Sequence, residues 1–583
     1  MPTITSLRRM TLVHILCKYL FTTRLSPNKA KYFFPCFENP RFEAVYKFKV
    51  YIVKQLPELQ YTNTSLVIAE EQRRDEVKGD YIVVDYIPSP QVGLHQVGFH
   101  FSQFESNRVQ GRIVNDTLIL WAPKDELRDY QFIHNYGITI INLIHDYSKE
   151  NRPLVQGPIN LIAVPADING YEIGSWNLLT NGSCVYAKYN HGIMTPERRR
   201  LAAYGLQMKH KAMAVDWHRT TPALETFNTS LAIEIPPRYK ELVTMKTGAI
   251  LWMLENWVES DKFHYALVNY IKSRRGKYIS LQDFTTTLDH DTIECLHQFF
   301  NGSTASRILG SWFRRRGYPV INVQRQFSFN RENREVTDFL IPISYVVENN
   351  QNCYNCYRPR FTIGAQTYTF GEILNDGWII LNRQGSGYYR VNYDPVTWRL
   401  IAKTLKENMM SIDELNRAQI VNDVFALYVA GDLDMDLAME ILSYLDKERS
   451  PVVWESVMSG YDLLMIEGAA CNMTRHLYWE WESFMVKKIT PIYTQLVKSK
   501  DNQYLMRLFR SSVVELACSL NYEPCHYHVK DLYIEDTRHQ HNLFPDCRMS
   551  YFFKVANETS MKTFLRKLNQ IELDDKNTAD KKV

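Results

Sequence analysis

Between residues 41 and 104 apolar and polar side chains alternate in short runs, clearest in Tyr46-Lys47-Phe48-Lys49-Val50-Tyr51-Ile52-Val53. A period of two places one face of each run in a core, so this region predicts β-strands. The period then lengthens. Tyr130, Ile133, Ile140, Ile141 and Ile144 recur at helical spacing and the apolar run Leu161-Ile162-Ala163-Val164 follows, so helix and sheet mix as in an α/β domain. From Val320 to Tyr393 alternation returns, broken by Pro, Gly and Asn, the pattern of a small β-sandwich. After Ser411 the spacing is helical throughout. Ser411-Ile412-Asp413-Glu414 reads as a capping box, in which hydroxyl and carboxylate satisfy orphan amides, and Gly431 reads as the stop. Amphipathic segments near 434–446, 452–466, 481–498 and 503–520 predict further helices joined by short loops, hence a solenoid of helix pairs.

At 583 residues and 45% hydrophobic composition the chain is globular and long enough for about three or four domains, each with its own core. A formal net charge of +4 is small for this length, and acidic residues are interspersed with the basic ones, so no nucleic-acid partner is expected. The runs Arg198-Arg199-Arg200 and Arg314-Arg315-Arg316 are shorter than a binding stripe needs and read as solvated faces. No stretch is long enough to span a membrane. Met10 to Phe21 is mildly apolar behind Arg8-Arg9, but His14 and Lys18 interrupt it and no small-residue cleavage site follows, so it does not read as a secretion signal. Acceptor sequons for N-glycosylation stand at Asn63, Asn115, Asn181, Asn228, Asn301, Asn472 and Asn557, and these lean toward secretion. Cys353-Tyr354-Asn355-Cys356 has the spacing of half a zinc site without a second pair, which leaves a loop disulfide or two free thiols as the readings.

Candidate chemistry turns on histidine. Two histidines four residues apart on a helix can grip one Zn²⁺, with a Glu after the first as general base. Among the 16 histidines no pair has that spacing; His526/His528 and His539/His541 lie two apart. There is also no G-x-S-x-G elbow, P-loop or dinucleotide fingerprint.

Several ordered stretches nevertheless carry a resemblance. Trp378-Ile379-Ile380-Leu381-Asn382, Gly387-Tyr388-Tyr389-Arg390-Val391-Asn392-Tyr393-Asp394 and Asn416-Arg417-Ala418-Gln419 resemble the aminopeptidase N family of gluzincin zinc aminopeptidases. Pro35-Cys36-Phe37-Glu38-Asn39-Pro40 resembles the family's PCFDEP. Ala163-Val164-Pro165 resembles the strand before its exopeptidase loop, and Trp312 with Gly317-Tyr318-Pro319-Val320 resembles the exit of its catalytic domain. The resemblance implies a multidomain mixed α/β chain shortened at both ends. Residues 1–20 stay unassigned, 21–105 are a partial β-saddle domain, and 106–318 are a thermolysin-like α/β domain lacking its zinc-helix segment. Residues 319–405 are then the β-sandwich and 406–583 a truncated helical solenoid. It also implies a disulfide between Cys518 and Cys525, with Cys547 as the first member of another, and an extracellular or cell-surface location.

The family's site is expected to be degenerate here. Its GAMEN loop, whose Glu grips the substrate amine, corresponds to Gly170-Tyr171-Glu172-Ile173-Gly174-Ser175-Trp176, one residue longer. Anchoring on Gly170 or on Trp176 leaves Glu172 off register, with Gly174 and Ser175 inside the altered stretch; Glu172 then either stabilises the loop or reaches the amine through a shifted backbone. Family sequence that flanks the His-Glu-x-x-His helix meets directly at Arg200-Leu201, leaving no zinc ligands. No metal or other cofactor is therefore expected, although the family uses zinc. The oxyanion-stabilising Tyr, two residues before a Lys at a helix start, falls on Thr244 before Lys246, and losing one such donor slows acyl transfer by roughly a hundred- to a thousandfold. The first reading is a catalytically inert homologue that binds peptides or protein partners; the alternative is a zinc metalloaminopeptidase represented by an incomplete transcript.

Overall fold

The computed structural model describes short segments between residues 20 and 182, then residues 198–227, 237–274, 280–300, 304–324 and 377–529 with few interruptions, and parts of 329–363; the structural statements below concern those residues. The alternating runs before residue 103 form antiparallel strands. Lys49–Val53 pairs with Tyr81–Asp85, which pairs in turn with Asp75–Lys78, while Leu20–Thr22 and Ser65–Val67 flank His100–Ser102. Five strands follow in the order Ile173–Ser175, Leu178–Gly182, Ile159–Val164, Thr117–Ala122, Glu105–Gln110. The three inner strands are parallel and the two edges antiparallel. A parallel connection needs a crossover, and the helical residues around Ile141 lie in it, packed on Leu118, Leu120 and Leu161. Thr117–Ala122 keeps the strand period, burying Leu118, Leu120 and Ala122.

Five helices succeed this sheet: α1 (Arg198–Asp216), α2 (Pro237–Val258), α3 (Ser260–Arg274), α4 (Leu281–Phe300) and α5 (Ala305–Phe313). At Gly205 α1 lies directly on α2: a Cβ there would sit 2.5 Å from the Trp252 ring, so glycine permits the approach. The start of α4 carries a reciprocal cap that the sequence reading passed over. Asp283 Oδ2 accepts from Ser280 N at 3.0 Å, and Ser280 Oγ accepts from Asp283 N at 3.2 Å, the geometry of a capping box. The buried Trp312 of α5 donates from Nε1 to Leu340 O at 3.2 Å and so ties the helices to the strands beyond.

Those strands make three small sheets. Val320–Val323 runs parallel to Arg390–Tyr393 and antiparallel to Phe329–Asn330, Ile341–Ile343 pairs with Phe361–Ile363, and Tyr345–Val347 pairs with Ile379–Leu381. The chain then turns helical: α6 (Pro395–Asn408), α7 (Glu414–Ala430), α8 (Met435–Ile441), α9 (Pro451–Ala470), α10 (Arg475–Lys498) and α11 (Tyr504–Ser519). Asp394 caps α6, accepting from Val396 N at 3.0 Å and Thr397 N at 3.1 Å, with Pro395 in the first turn. One expectation needs correcting at α7. The cap is Asp413, whose Oδ1 accepts from Leu415 N at 2.9 Å, whereas Ser411 closes a 3₁₀ turn and donates to Asn408 O. Two acceptors competed for that helix start, and the residue adjacent to the first turn took it. Gly431 ends α7 in the left-handed conformation, as expected.

The architecture is thus mixed α/β with a helical C-terminal region. Helix α7 is buried at every position from Leu415 to Leu427, against α9, α1 and the turn 383–385. A helix buried all round usually carries apolar residues all round. This one carries Asn416, Arg417, Gln419, Asn422 and Asp423, and each needs a partner.

Candidate functional site

Of the expected site residues, Gly174, Ser175 and Thr244 fall within the described residues. Gly174 and Ser175 lie in the edge strand Ile173–Ser175, opposite Leu179 and Leu178; Gly170, Glu172 and Trp176 fall outside the described residues. The Arg200-Leu201 junction lies within the first turns of α1, which crosses it as continuous helix. Thr244 is exposed in the interior of α2, and Lys246 lies inside that helix rather than at its start. The backbone of Asn181 belongs to the strand Leu178–Gly182; the other sequons, Asn63, Asn115, Asn228, Asn301, Asn472 and Asn557, fall outside the described residues, as do Cys353, Cys356 and Cys547. Cys518 and Cys525 are joined as a disulfide at the end of α11.

What the structure does bring together is a buried polar seam where α1 and α2 meet the strands and α7. Its first part is an ion pair: Lys246 Nζ lies 2.7 Å from Asp216 Oδ2, both side chains 0% exposed. Asp216 also accepts from Tyr388 OH at 3.1 Å and from Gly317 N at 3.1 Å. Lys246 also donates to Gly317 O at 3.2 Å. One carboxylate therefore fixes α1, α2, the turn after α5 and the strand entry at Tyr388. Burial, then the Asp216 charge, raises the Tyr388 phenol well above its ordinary range, so it serves as a hydrogen-bond donor.

The second part joins strand to helix. Arg390 Nη1 donates to Asp423 Oδ1 at 2.8 Å and Asn422 Oδ1 at 2.9 Å, and Nε donates to Tyr318 OH at 3.2 Å. The other Asp423 oxygen accepts from Val391 N at 3.2 Å and from Gln419 Nε2. Burial raises Asp423 above the usual carboxylate range, against the pull of Arg390 and Lys209. Further along α7, Arg417 donates to Glu448 Oε2 at 2.8 Å and to Ile412 O at 2.7 Å.

The third part surrounds the turn Asn382–Gly387. Asn382, Gln384 and Gly385 all have positive φ, at 60°, 52° and 67°, conformations that persist only when the surroundings over-determine them. They do so here: Asn416 accepts from Gln384 N at 3.0 Å and donates to Asn382 O at 3.2 Å, Ser344 Oγ accepts from Arg383 N at 3.0 Å, and Lys209 Nζ donates to Gly385 O at 2.6 Å. Beside Lys209, His210 Nδ1 lies 3.2 Å from Ser456 Oγ of α9. Its Nε2 faces Gln419 without a partner at hydrogen-bonding geometry. Burial, with Lys209 and Arg390 adding to it, holds His210 well below its ordinary value and so neutral.

This seam is built to hold a shape. Its carboxylates are each engaged by cations, and among the described residues no three His, Cys, Asp or Glu side chains are grouped to hold a metal. Zinc therefore finds no fitting ligand set there. Sequence reasoning named Tyr388, Arg390, Arg417 and Gln419 only as parts of a resemblance, and passed over Lys209 and Asp423. The signal was present as a charged residue every few positions inside an otherwise apolar helix.

Comparison with known proteins places these observations. A profile of the ERAP1-like C-terminal domain matches residues 378–582, beginning at Trp378 and taking in the seam's turn and α7. An aminopeptidase N of Plutella xylostella is 24% identical over 389 residues, covering 61% of this chain and 39% of that protein. A glutamyl aminopeptidase of Rattus norvegicus is 27% identical over 318 residues, covering 51% and 31%. An aminopeptidase N of the same species is 26% identical over 379 residues, covering 59% and 37%. The chain thus spans between 31 and 39% of the length of these relatives. These matches, the relatives covering half of the chain or more, support membership of the aminopeptidase N family.

Proposed function

We propose that this chain is a non-catalytic homologue of aminopeptidase N that binds peptides or protein partners. Two neighbouring positions on α2 carry the reading. Lys246 is fully buried in an ion pair that organises four elements, whereas Thr244, where the family resemblance calls for a phenolic hydroxyl, is an exposed residue with a side chain too short to replace one. The absence from the sequence of any histidine pair four apart supports the same reading, since a helical zinc clamp requires it. The Cys518–Cys525 disulfide supports an extracellular or cell-surface location, because such bonds persist in oxidising compartments. The seven sequons are then candidate glycosylation sites.

Elemental analysis and hydrolysis of aminoacyl-amide substrates by the purified chain test the catalytic half. The expected result is substoichiometric zinc and no release above a protein-free control. About one zinc per chain with chelator-sensitive turnover that follows the polypeptide through purification would establish the alternative, a zinc aminopeptidase. For the binding half, short peptides with free N-termini are titrated while thermal unfolding is followed. A saturable rise in midpoint is expected, and none at millimolar peptide, together with no partner recovered by crosslinking in the native source, would remove it.

A further inference from the structure

Of the buried lysines and arginines along the seam, Lys209 alone has no carboxylate at ion-pair distance among the described residues; Lys246, Arg390 and Arg417 each have one. The residue is 1% exposed. Its partners are Gly385 O at 2.6 Å, Gly387 O at 3.3 Å and Gln419 Oε1. Two demands conflict at this amine. Three acceptors suit the three N–H groups of an ammonium, and a neutral amine offers only two. An ammonium without a counter-ion, however, is expensive to bury.

We propose that Lys209 and the oxygens of Gly385, Gly387 and Gln419 form a proton-gated latch joining α1 to the 382–387 turn and α7, loose while the lysine carries its proton and tight once it has lost it. The surrounding charges are few. From α7, Asp423 acts through the Gln419 amide, which donates to Asp423 and accepts from Lys209. From the strand after the turn, Arg390 opposes the lysine's charge. On α1 the neighbour is the neutral His210, bonded to Ser456 of α9, and the α9 carboxylates are Glu455, the exposed Asp462 and Glu467, the last paired with His218. The charge of α2 at the seam, Lys246, is matched by Asp216. The phenols of Tyr388 and Tyr389 are raised by burial and stay protonated.

Burial, opposed by Asp423 and reinforced by Arg390, brings Lys209 from 10.5 down to about 7. Below pH 7 closed and opened forms both carry the proton, and the burden of the buried charge is undiminished. As pH climbs from 7 toward 10.5 only the closed form sheds it, so closure is favoured progressively.

Hydrogen exchange of peptides covering α1 and the 382–387 turn, corrected for the intrinsic pH dependence, tests this between pH 6 and 9. In the native chain the opening constant should fall by up to about tenfold per pH unit above 7 and be level below it. Lys209→Met should be level throughout. Gln419→Glu places a carboxylate against Nζ and should move the fall above pH 9 whether or not the methionine variant folds. A native opening constant that does not change from pH 7 to 9 overturns the latch. So does a Lys209→Met or Gln419→Glu variant that keeps the native slope.

Discussion

Asp216→Asn tests the idea that one carboxylate organises the meeting of α1, α2 and the strands. The substitution keeps the side-chain volume, and the new amide oxygen can still accept from Gly317 N. It removes the charge that faces Lys246 at 2.7 Å and the oxygen that Tyr388 OH uses at 3.1 Å. Both members of the ion pair are 0% exposed, so water cannot screen the stranded ammonium, and breaking such a pair from one side costs about 3–5 kcal/mol. At about 1.4 kcal/mol per decade that is a rise of roughly two to three and a half orders of magnitude in the local opening constant. Hydrogen exchange of peptides from α1 and α2 reads it directly and does not require the whole chain to unfold in one step. Lys246→Met alone, and the double variant, complete a cycle. In the methionine background no ammonium is left to strand, so Asp216→Asn should then cost only about 1 kcal/mol, giving a coupling of about 2 kcal/mol or more. Additive effects of the two substitutions, or an Asp216→Asn opening constant within threefold of native, would refute the reasoning.

Gly205→Ala should destabilise α1 against α2 by about 1–3 kcal/mol, because the added methyl meets the Trp252 ring at 2.5 Å, and a thermal midpoint equal to native would show that the ring can move aside. Asp413→Ala should lower stability by about 0.5–2 kcal/mol while Ser411→Ala stays within about 0.5 kcal/mol, since Asp413 makes the cap and Ser411 does not; urea midpoints in the reverse order would restore the capping-box reading. Cys518→Ser should cost about 2–3 kcal/mol for a loop with a sequence separation of 7, and peptides at the end of α11 should be the first to lose exchange protection.

Much of the fold was legible because its elements follow period rules that need only nearest neighbours. Thr117–Ala122 buries alternate residues, Gly431 stops its helix, and the segments read near 452–466 and 481–498 lie within α9 and α10. The seam was not legible for the opposite reason. Lys209 and Gln419 are 210 residues apart in sequence, and no local pattern says which buried cation will meet which oxygen. Local rules also fail where two residues bid for one role, as Ser411 and Asp413 did for the α7 cap. The resemblance to a known family supplied Arg390 and Gln419 as landmarks without supplying their partners.

The separation of chemistry from architecture in this chain follows from helix geometry. Thr244 and Lys246 stand two residues apart on α2, about 200° around the helix axis at 100° per residue, so one is exposed while the other is buried in the seam. Thr244 is exposed, and a substitution at an exposed position is usually worth no more than about 0.5 kcal/mol. Changing Lys246 strands Asp216 and releases four elements together. Stability therefore constrains the second position tightly and the first hardly at all. On the proposed non-catalytic reading, a phenol at position 244 could give way to threonine without loosening the fold, provided that Asp216 and Lys246 stay paired.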